Sequence, residues 1–156
     1  MKFTIAREKL LDPLQLTSGV VERRQTSPVL ANLLLNLEED RLVITGTDQE
    51  VELTVVITDV VVDSPGEVTV PARKLLDICK SLPDGAEMSA NLEGNRVAVD
   101  SGRFNSFLAT LPVSEFPNIE TGVYEVTIAL PVQELKRLLQ RTSFAMAQQD
   151  VRYFFN

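Results

Sequence analysis

Histidine is absent from this chain and cysteine occurs once, as Cys79. Without histidine there is no serine–histidine triad, no imidazole general base and no histidine metal site. A single cysteine excludes an internal disulfide and any cysteine-clustered zinc site. Cys79 lies in the apolar helical pattern Leu75-Leu76-Asp77-Ile78-Cys79, which reads as a small buried hydrophobe in preference to a nucleophile. Phosphate-cradling glycine loops, dinucleotide fingerprints and calcium loops are missing too; Gly94 and Gly102 stand singly in turns. No run approaches the roughly 18 apolar residues of a membrane span, and Met1-Lys2-Phe3-Thr4 has no signal-peptide layout. The expectation is therefore a cytoplasmic, non-enzymatic protein with no metal or other cofactor and no membrane partner.

What is present is a repeat. Phe3-Thr4-Ile5-Ala6 returns as Val126-Thr127-Ile128-Ala129, and Leu10, Leu14, Gln15, Thr17 and Ser18 return as Leu135, Leu139, Gln140, Thr142 and Ser143. A shorter echo lies inside the first copy, where Lys9-Leu10-Leu11-Asp12 recurs as Lys74-Leu75-Leu76-Asp77. Repeats within repeats predict a pseudo-symmetric architecture. The 156 residues, 44% of them apolar, suit one ordered domain of about 120 residues and the start of another.

Periodicity predicts a strand over 2–6 and a helix over 7–21, with Leu10, Leu14, Thr17 and Val21 on one face and Pro13 within the first two turns. Strands follow near 29–37, 41–46 and 50–57, the first placing Val29, Ala31, Leu33, Leu35 and Leu37 on one side. After Ser64-Pro65-Gly66 the pattern restarts with a strand over 67–70 and a helix over 71–82. Strands near 87–92, 96–100 and 103–110 complete it. The order is strand, helix, three strands, repeated: an α+β fold with two helices on one face of antiparallel sheets. Residues 1–122 form this first domain, with a linker from about 112. Residues 123–156 begin a second, with a strand, a helix over 131–142 and another strand entering at 151. Because the sequence stops inside that strand, it is expected to be a truncated or processed piece of a longer protein.

Charge is unevenly placed. The whole carries −7, yet the helices and their ends (7–24, 72–81, 131–143) carry +5, leaving −12 elsewhere. Their ten cations are Arg7, Lys9, Arg23, Arg24, Arg73, Lys74, Lys80, Lys136, Arg137 and Arg141. Helices sharing one side would present a basic face suited to a phosphate backbone. The ordinary alternative is that helices simply accommodate lysine and arginine better than turns do.

A family resemblance rests on Met1-Lys2-Phe3-Thr4, Thr45-Gly46-Thr47-Asp48, Val70-Pro71-Ala72-Arg73-Lys74, Asp77-Ile78-Cys79 and Leu92-Glu93-Gly94. It continues through Ser101-Gly102-Arg103, Thr110-Leu111-Pro112, Phe116-Pro117-Asn118 and Gln148-Gln149-Asp150-Val151-Arg152-Tyr153. Across its whole length the chain resembles the amino-terminal part of the bacterial DNA polymerase III beta subunits, the replication sliding clamps. That resemblance implies the DNA-clamp fold, three such domains per full-length chain, and two chains closing head to tail into a homodimeric ring around duplex DNA. The ring would hold DNA topologically, reading no base edges. It would tether the catalytic subunit of DNA polymerase III, the clamp loader and other proteins carrying clamp-binding peptides.

The resemblance also implies residue roles. Arg24 and Arg73 would approach the DNA backbone, helped by Lys80 and Arg137, while Gln149, Tyr153 and Phe154 would reach it from a loop and strand, the aromatics available for stacking. Arg152 and Phe155 would be one wall of a peptide pocket. Lys74, Arg96 and Arg103 would meet acids of the partner subunit, around an apolar centre of Phe104 and Leu108. The segment Arg103-Phe104-Asn105-Ser106-Phe107-Leu108 departs from the commoner family pattern in its aromatics and in Asn105.

Each assignment has a plainer reading beside it. Arg23-Arg24 follows a helix end that favours cations anyway, residues 103–110 can be an edge strand of alternating burial, and one face of 152–155 must be core. Two other functions remain open: a peptide-binding interaction module that does not encircle DNA, and an enzyme using Asp48 and Glu50 as paired carboxylates.

Overall fold

A computed structural model describes residues 1–21, 27–117 and 126–146. The chain divides into two compact units, Met1–Ile119 and Glu120–Asn156.

The first unit opens with β1 (Lys2–Ala6) and runs directly into α1 (Arg7–Ser18). Leu10, Leu14 and Thr17 recur at helical spacing and are the buried face of α1. Pro13 is accommodated inside the helix, and Thr17 Oγ1 donates to the Pro13 carbonyl at 2.8 Å. The helix stops three residues before its expected end. Gly19 and the β-branched pair Val20-Val21 are poor helix formers, and Val21 turns into the core, 8% exposed.

The next strand is also shorter than expected. Residues Pro28–Ala31 form one turn of 3₁₀ helix before β2 (Asn32–Leu37). Val29 and Leu30 are both buried, in an apolar cluster with Phe116, and the Pro28 ring favours a turn over a strand start. Strands β3 (Leu42–Thr47) and β4 (Glu52–Ile57) follow. A short strand that the pattern did not predict, β5 (Val61–Ser64), then precedes β6 (Gly66–Pro71), α2 (Ala72–Ser81), β7 (Glu87–Glu93), β8 (Arg96–Ser101) and β9 (Phe104–Ala109). The β5 strand pairs only with β1, at a sheet edge, with Val61 66% exposed, so it carries little of the apolar alternation that marks a strand.

All pairings are antiparallel, in two sheets ordered β5-β1-β7-β8-β9 and β4-β3-β2-β6. The internal repeat explains the order. Each half donates its leading strand to the other half's sheet. Thus β1 lies against β7, with Ala6 opposite Glu87, and β6 lies against β2, with Pro71 opposite Asn32. In both cases the last residue before one helix pairs with the first strand residue after the other helix. The halves are therefore interlocked, and one core of Phe3, Leu10, Leu14, Leu33, Leu35, Ile44, Val70, Leu75, Met88, Val99 and their neighbours joins helices and sheets.

Two details fix the helices and the exit of the chain. Gly46 lets β3 approach α1 closely, since a Cβ there would stand 2.5 Å from the Thr17 carbonyl oxygen. The segment expected to start the linker is instead packed. Leu111 and Phe116 join Val29, Leu30 and Leu34 in a second apolar cluster. The buried Thr69 hydroxyl of β6 donates to the Leu111 carbonyl at 2.8 Å and accepts from its N–H at 3.0 Å and from Asn32 Nδ2 at 3.0 Å.

In the second unit, α3 (Val132–Thr142) forms where the pattern predicts. The strand expected just before it does not appear over residues 126–130, because none of the described residues supplies the partner that a strand requires. Leu135, Leu138 and Leu139 of α3 are 46%, 49% and 60% exposed. No described helix is long and apolar enough to cross a membrane.

Candidate nucleic-acid interface

The basic layer read from the sequence separates into two sets. Arg7, at the first residue of α1, donates from its guanidinium to Asp84 at 2.7 Å and to the Cys79 carbonyl at 3.1 Å. Lys9 pairs with Asp59 at 3.0 Å, and Arg137 on α3 with Glu134 at 2.6 Å. These three cations are largely spoken for inside the protein. Arg73, Lys74 and Lys80 on α2, and Lys136 and Arg141 on α3, have no acidic partner within 4 Å among the described residues. Arg24, and Arg23 beside it, lie outside the described residues, as do Gln149, Tyr153 and Phe154 and the pocket residues Arg152 and Phe155.

The α2 set is built by helical spacing. Ala72, Leu75 and Cys79 are its buried residues, so Arg73, Asp77 and Lys80, four and three residues apart, line up on the exposed side with Lys74 next to them. Three cations against one acid leave this face net positive on a chain of net charge −7. Lys80 stands in the last turn, where the carbonyl-rich helix end also favours it.

The end of α2 is held by α1. Besides the Arg7 bonds, the Arg7 backbone N–H donates to the Ala86 carbonyl at 2.9 Å, and Glu8 Oε1 accepts the Gly85 N–H at 2.7 Å. The Gly85 bond, foremost, holds the Glu8 carboxyl below its ordinary value. The Cys79 thiol lies at the same junction, fully buried, donating weakly to the Arg7 carbonyl at 3.7 Å, and burial pushes its pKa up. It is the structural residue the sequence suggests. Arg7 was counted among the surface cations. Its position carried a contrary signal, since a cation in the first turn opposes the helix dipole and calls for a specific acceptor.

The residues expected at the subunit joint are dispersed over α2, β8 and β9. Lys74 and Arg103 are exposed, Arg103 in the β8–β9 hairpin whose Gly102 takes a positive φ of 58°. Arg96 lies over the Phe107 ring, 4.1 Å from its centre, and pairs with Glu93 at 3.4 Å. Phe104 is half-buried against the core and lines an open cleft of about 710 Å³ together with Arg103, Leu82 and Pro83. Alternation along β9 turns Leu108 into the core at 2% exposure. Phe107, 49% exposed, is the outward aromatic. Asn105, the departure from the family pattern, hydrogen-bonds to Asp100 on the neighbouring strand.

Of the two carboxylates considered for catalysis, Asp48 has a structural task. Asp48 Oδ1 accepts the backbone N–H groups of Glu50 at 2.9 Å and Val51 at 2.7 Å, closing the β3–β4 turn beside Gln49 at φ 78°.

Interlocked strand–helix–strand halves, with paired helices carrying exposed cations, define the DNA-clamp class of α+β fold. Residues 1–120 match the family described as DNA polymerase III beta subunit, N-terminal domain, and the chain belongs to that family. The chain is 54% identical to the beta sliding clamp of Pseudomonas aeruginosa, all of it aligning with 42% of that protein. It is 49% identical to the beta sliding clamp of Escherichia coli K12, of which it covers 43%. Among solved structures, the P. aeruginosa sliding clamp crystallised with griselimycin superposes with a TM-score of 0.92 at 52% identity, and Caulobacter crescentus pol III beta with 0.94 at 38%. Each is matched over the whole of this chain and 42% of its own. The chain thus spans about two fifths of the length of these relatives.

Proposed function

We propose that this chain serves as the amino-terminal portion of a DNA sliding clamp, a cytoplasmic, non-catalytic processivity factor. The full-length homodimeric ring encircles duplex DNA and tethers the catalytic subunit of DNA polymerase III. The clamp loader and other bearers of clamp-binding peptides are its further partners. Residues 1–122 are the first clamp domain and 123–156 the beginning of the second. The observation that carries this reading is the split among the helical cations: Arg7, Lys9 and Arg137 are paired internally, whereas Arg73 and Lys80 on α2, and Lys136 and Arg141 on α3, have no acidic partner among the described residues of an acidic chain. An acidic body with basic helices attracts a phosphate backbone at those helices and repels it elsewhere. With base edges unread, such contacts hold DNA loosely enough for it to slide.

In this reading Arg24 and Arg73 contact phosphates, helped by Lys80 and Arg137, and Gln149, Tyr153 and Phe154 add contacts from the second domain. Glu134 competes for Arg137, which makes it the weakest of these contacts. Lys74, Arg96 and Arg103 face the partner subunit, with Phe104 at the rim of the joint. Phe107 takes the apolar place expected of Leu108. Arg152 and Phe155 contribute part of the peptide pocket.

The test combines anisotropy of a labelled duplex across a salt series with gel filtration on nicked circular DNA, before and after linearisation. The 156-residue chain is expected to bind weakly, without sequence preference. Its affinity falls with salt, and each of R73A and K80A lowers the slope of log K against log salt by about 1. Sequence-specific binding, or binding indifferent to salt and to both substitutions, would overturn the reading. Retention on circles that cutting abolishes would show that the chain closes a ring by itself.

A further inference from the structure

We propose that Arg7 is a positioning residue for Lys80, so that the ion pair between Arg7 and Asp84 sets how well α2 presents its last cation to DNA. The inference rests on the assignment of Lys80 to the phosphate backbone. The last carbonyls of a helix have no partner within it, and its final turn frays unless something outside satisfies them. For α2 that outside partner is Arg7, whose guanidinium donates to the Cys79 carbonyl, one residue before Lys80, and to Asp84 in the turn just beyond. The side chain is only 14% exposed, which marks it as part of the junction between the helices. The Arg7 backbone N–H, donating to the Ala86 carbonyl, and the Glu8 carboxylate, accepting the Gly85 N–H, complete the junction by gripping the 83–86 turn from the α1 side. The N-terminus of one helix thus fixes the C-terminus of the other. The first cation of the basic layer acts through the structure while the last faces solvent.

The decisive substitution is Asp84→Asn, at a side chain 96% exposed, where loss of fold is not expected. By long-range electrostatics, removing an acid strengthens DNA binding. Positioning demands the opposite: D84N weakens duplex binding several-fold, and R7Q weakens it further, both with unchanged far-UV circular dichroism. In a K80A background neither substitution adds to the loss, because the group they position is gone. Tighter or unchanged binding by D84N, or a loss that persists in K80A, would overturn the inference. R7Q lowering the salt slope equally with and without Lys80 would make Arg7 itself a phosphate contact and overturn it as well. If K80A leaves affinity and slope unchanged, the assignment of Lys80 to DNA falls first and the inference with it. If K80A has its expected effect and D84N does not, only the inference falls.

Discussion

Helices α1 and α3 are written in nearly the same code, and the structure treats them in opposite ways. Leu10 and Leu14 of α1 are 1% and 0% exposed, whereas their counterparts Leu135 and Leu139 of α3 are 46% and 60% exposed. Both helices form, so the local pattern is sufficient for helicity in each. The difference lies in what covers the apolar face. Helix α1 packs on β1, β3, β4 and α2, whereas the described residues of the second unit hold, besides α3, just the short turn of 3₁₀ helix following it, Ser143–Ala145. An amphipathic helix specifies that it needs a partner, and the sheet that satisfies it is supplied by distant chain.

That comparison breaks most sharply by leucine truncation. Leu14→Ala is expected to cost about 2–5 kcal/mol in urea unfolding of the first unit, the range for removing a buried leucine, whereas Leu139→Ala should leave that unfolding within about 0.5 kcal/mol. Equal losses would mean that α3 is covered after all. Next in size are two close contacts within the first unit. Gly46→Ala sets a Cβ against the Thr17 carbonyl and is expected to cost about 1–3 kcal/mol, α1 being pushed off β3. Thr69→Val removes the hydroxyl that serves Asn32 and both backbone groups of Leu111, at about 1–3 kcal/mol. If amide exchange monitors the Thr69 change, protection should fall first at Leu111, where the chain leaves the sheets.

Much of the fold was legible because its signals are local. The α+β class, the repeat and the site of α2 follow from helical spacing, turn residues and the repeated strand-then-helix entry. The exchange of β1 and β6 between sheets was not legible. Either strand satisfies the same alternation in its own half's sheet as in the other's, and only long-range packing decides. Val29-Leu30 misled because an apolar run of strand composition was used as a turn with adjacent residues buried. At the candidate site, the exposure of Arg73 and Lys80 follows from spacing against Leu75 and Cys79, whereas their roles rest on the family resemblance. The occupation of Arg7 and Lys9 was hidden because their acids, Asp84 and Asp59, are remote in sequence. On β9, alternation from Phe104 points Leu108 inward and leaves Phe107 outside.

The smallest expected effect is the one that isolates the junction between α1 and α2 from the rest of the core. The Glu8 carboxylate accepts the Gly85 N–H, and its folded pKa is lowered for that reason first. A carboxyl depressed in the folded state contributes stability that is present above its unfolded pKa, about 4.3, and is lost as pH falls through the lower folded value. Acid titration of unfolding should therefore show a limb below about pH 4.3 that flattens in Glu8→Gln. That variant keeps an oxygen for Gly85 but has no proton to gain. Because Glu8 is exposed, the change is small and salt-sensitive. The same titration of Leu139→Ala, a substitution in the second unit, should match the unsubstituted chain. An acid limb unchanged by Glu8→Gln would assign the loss to other carboxylates and leave the 83–86 turn held by Arg7 alone.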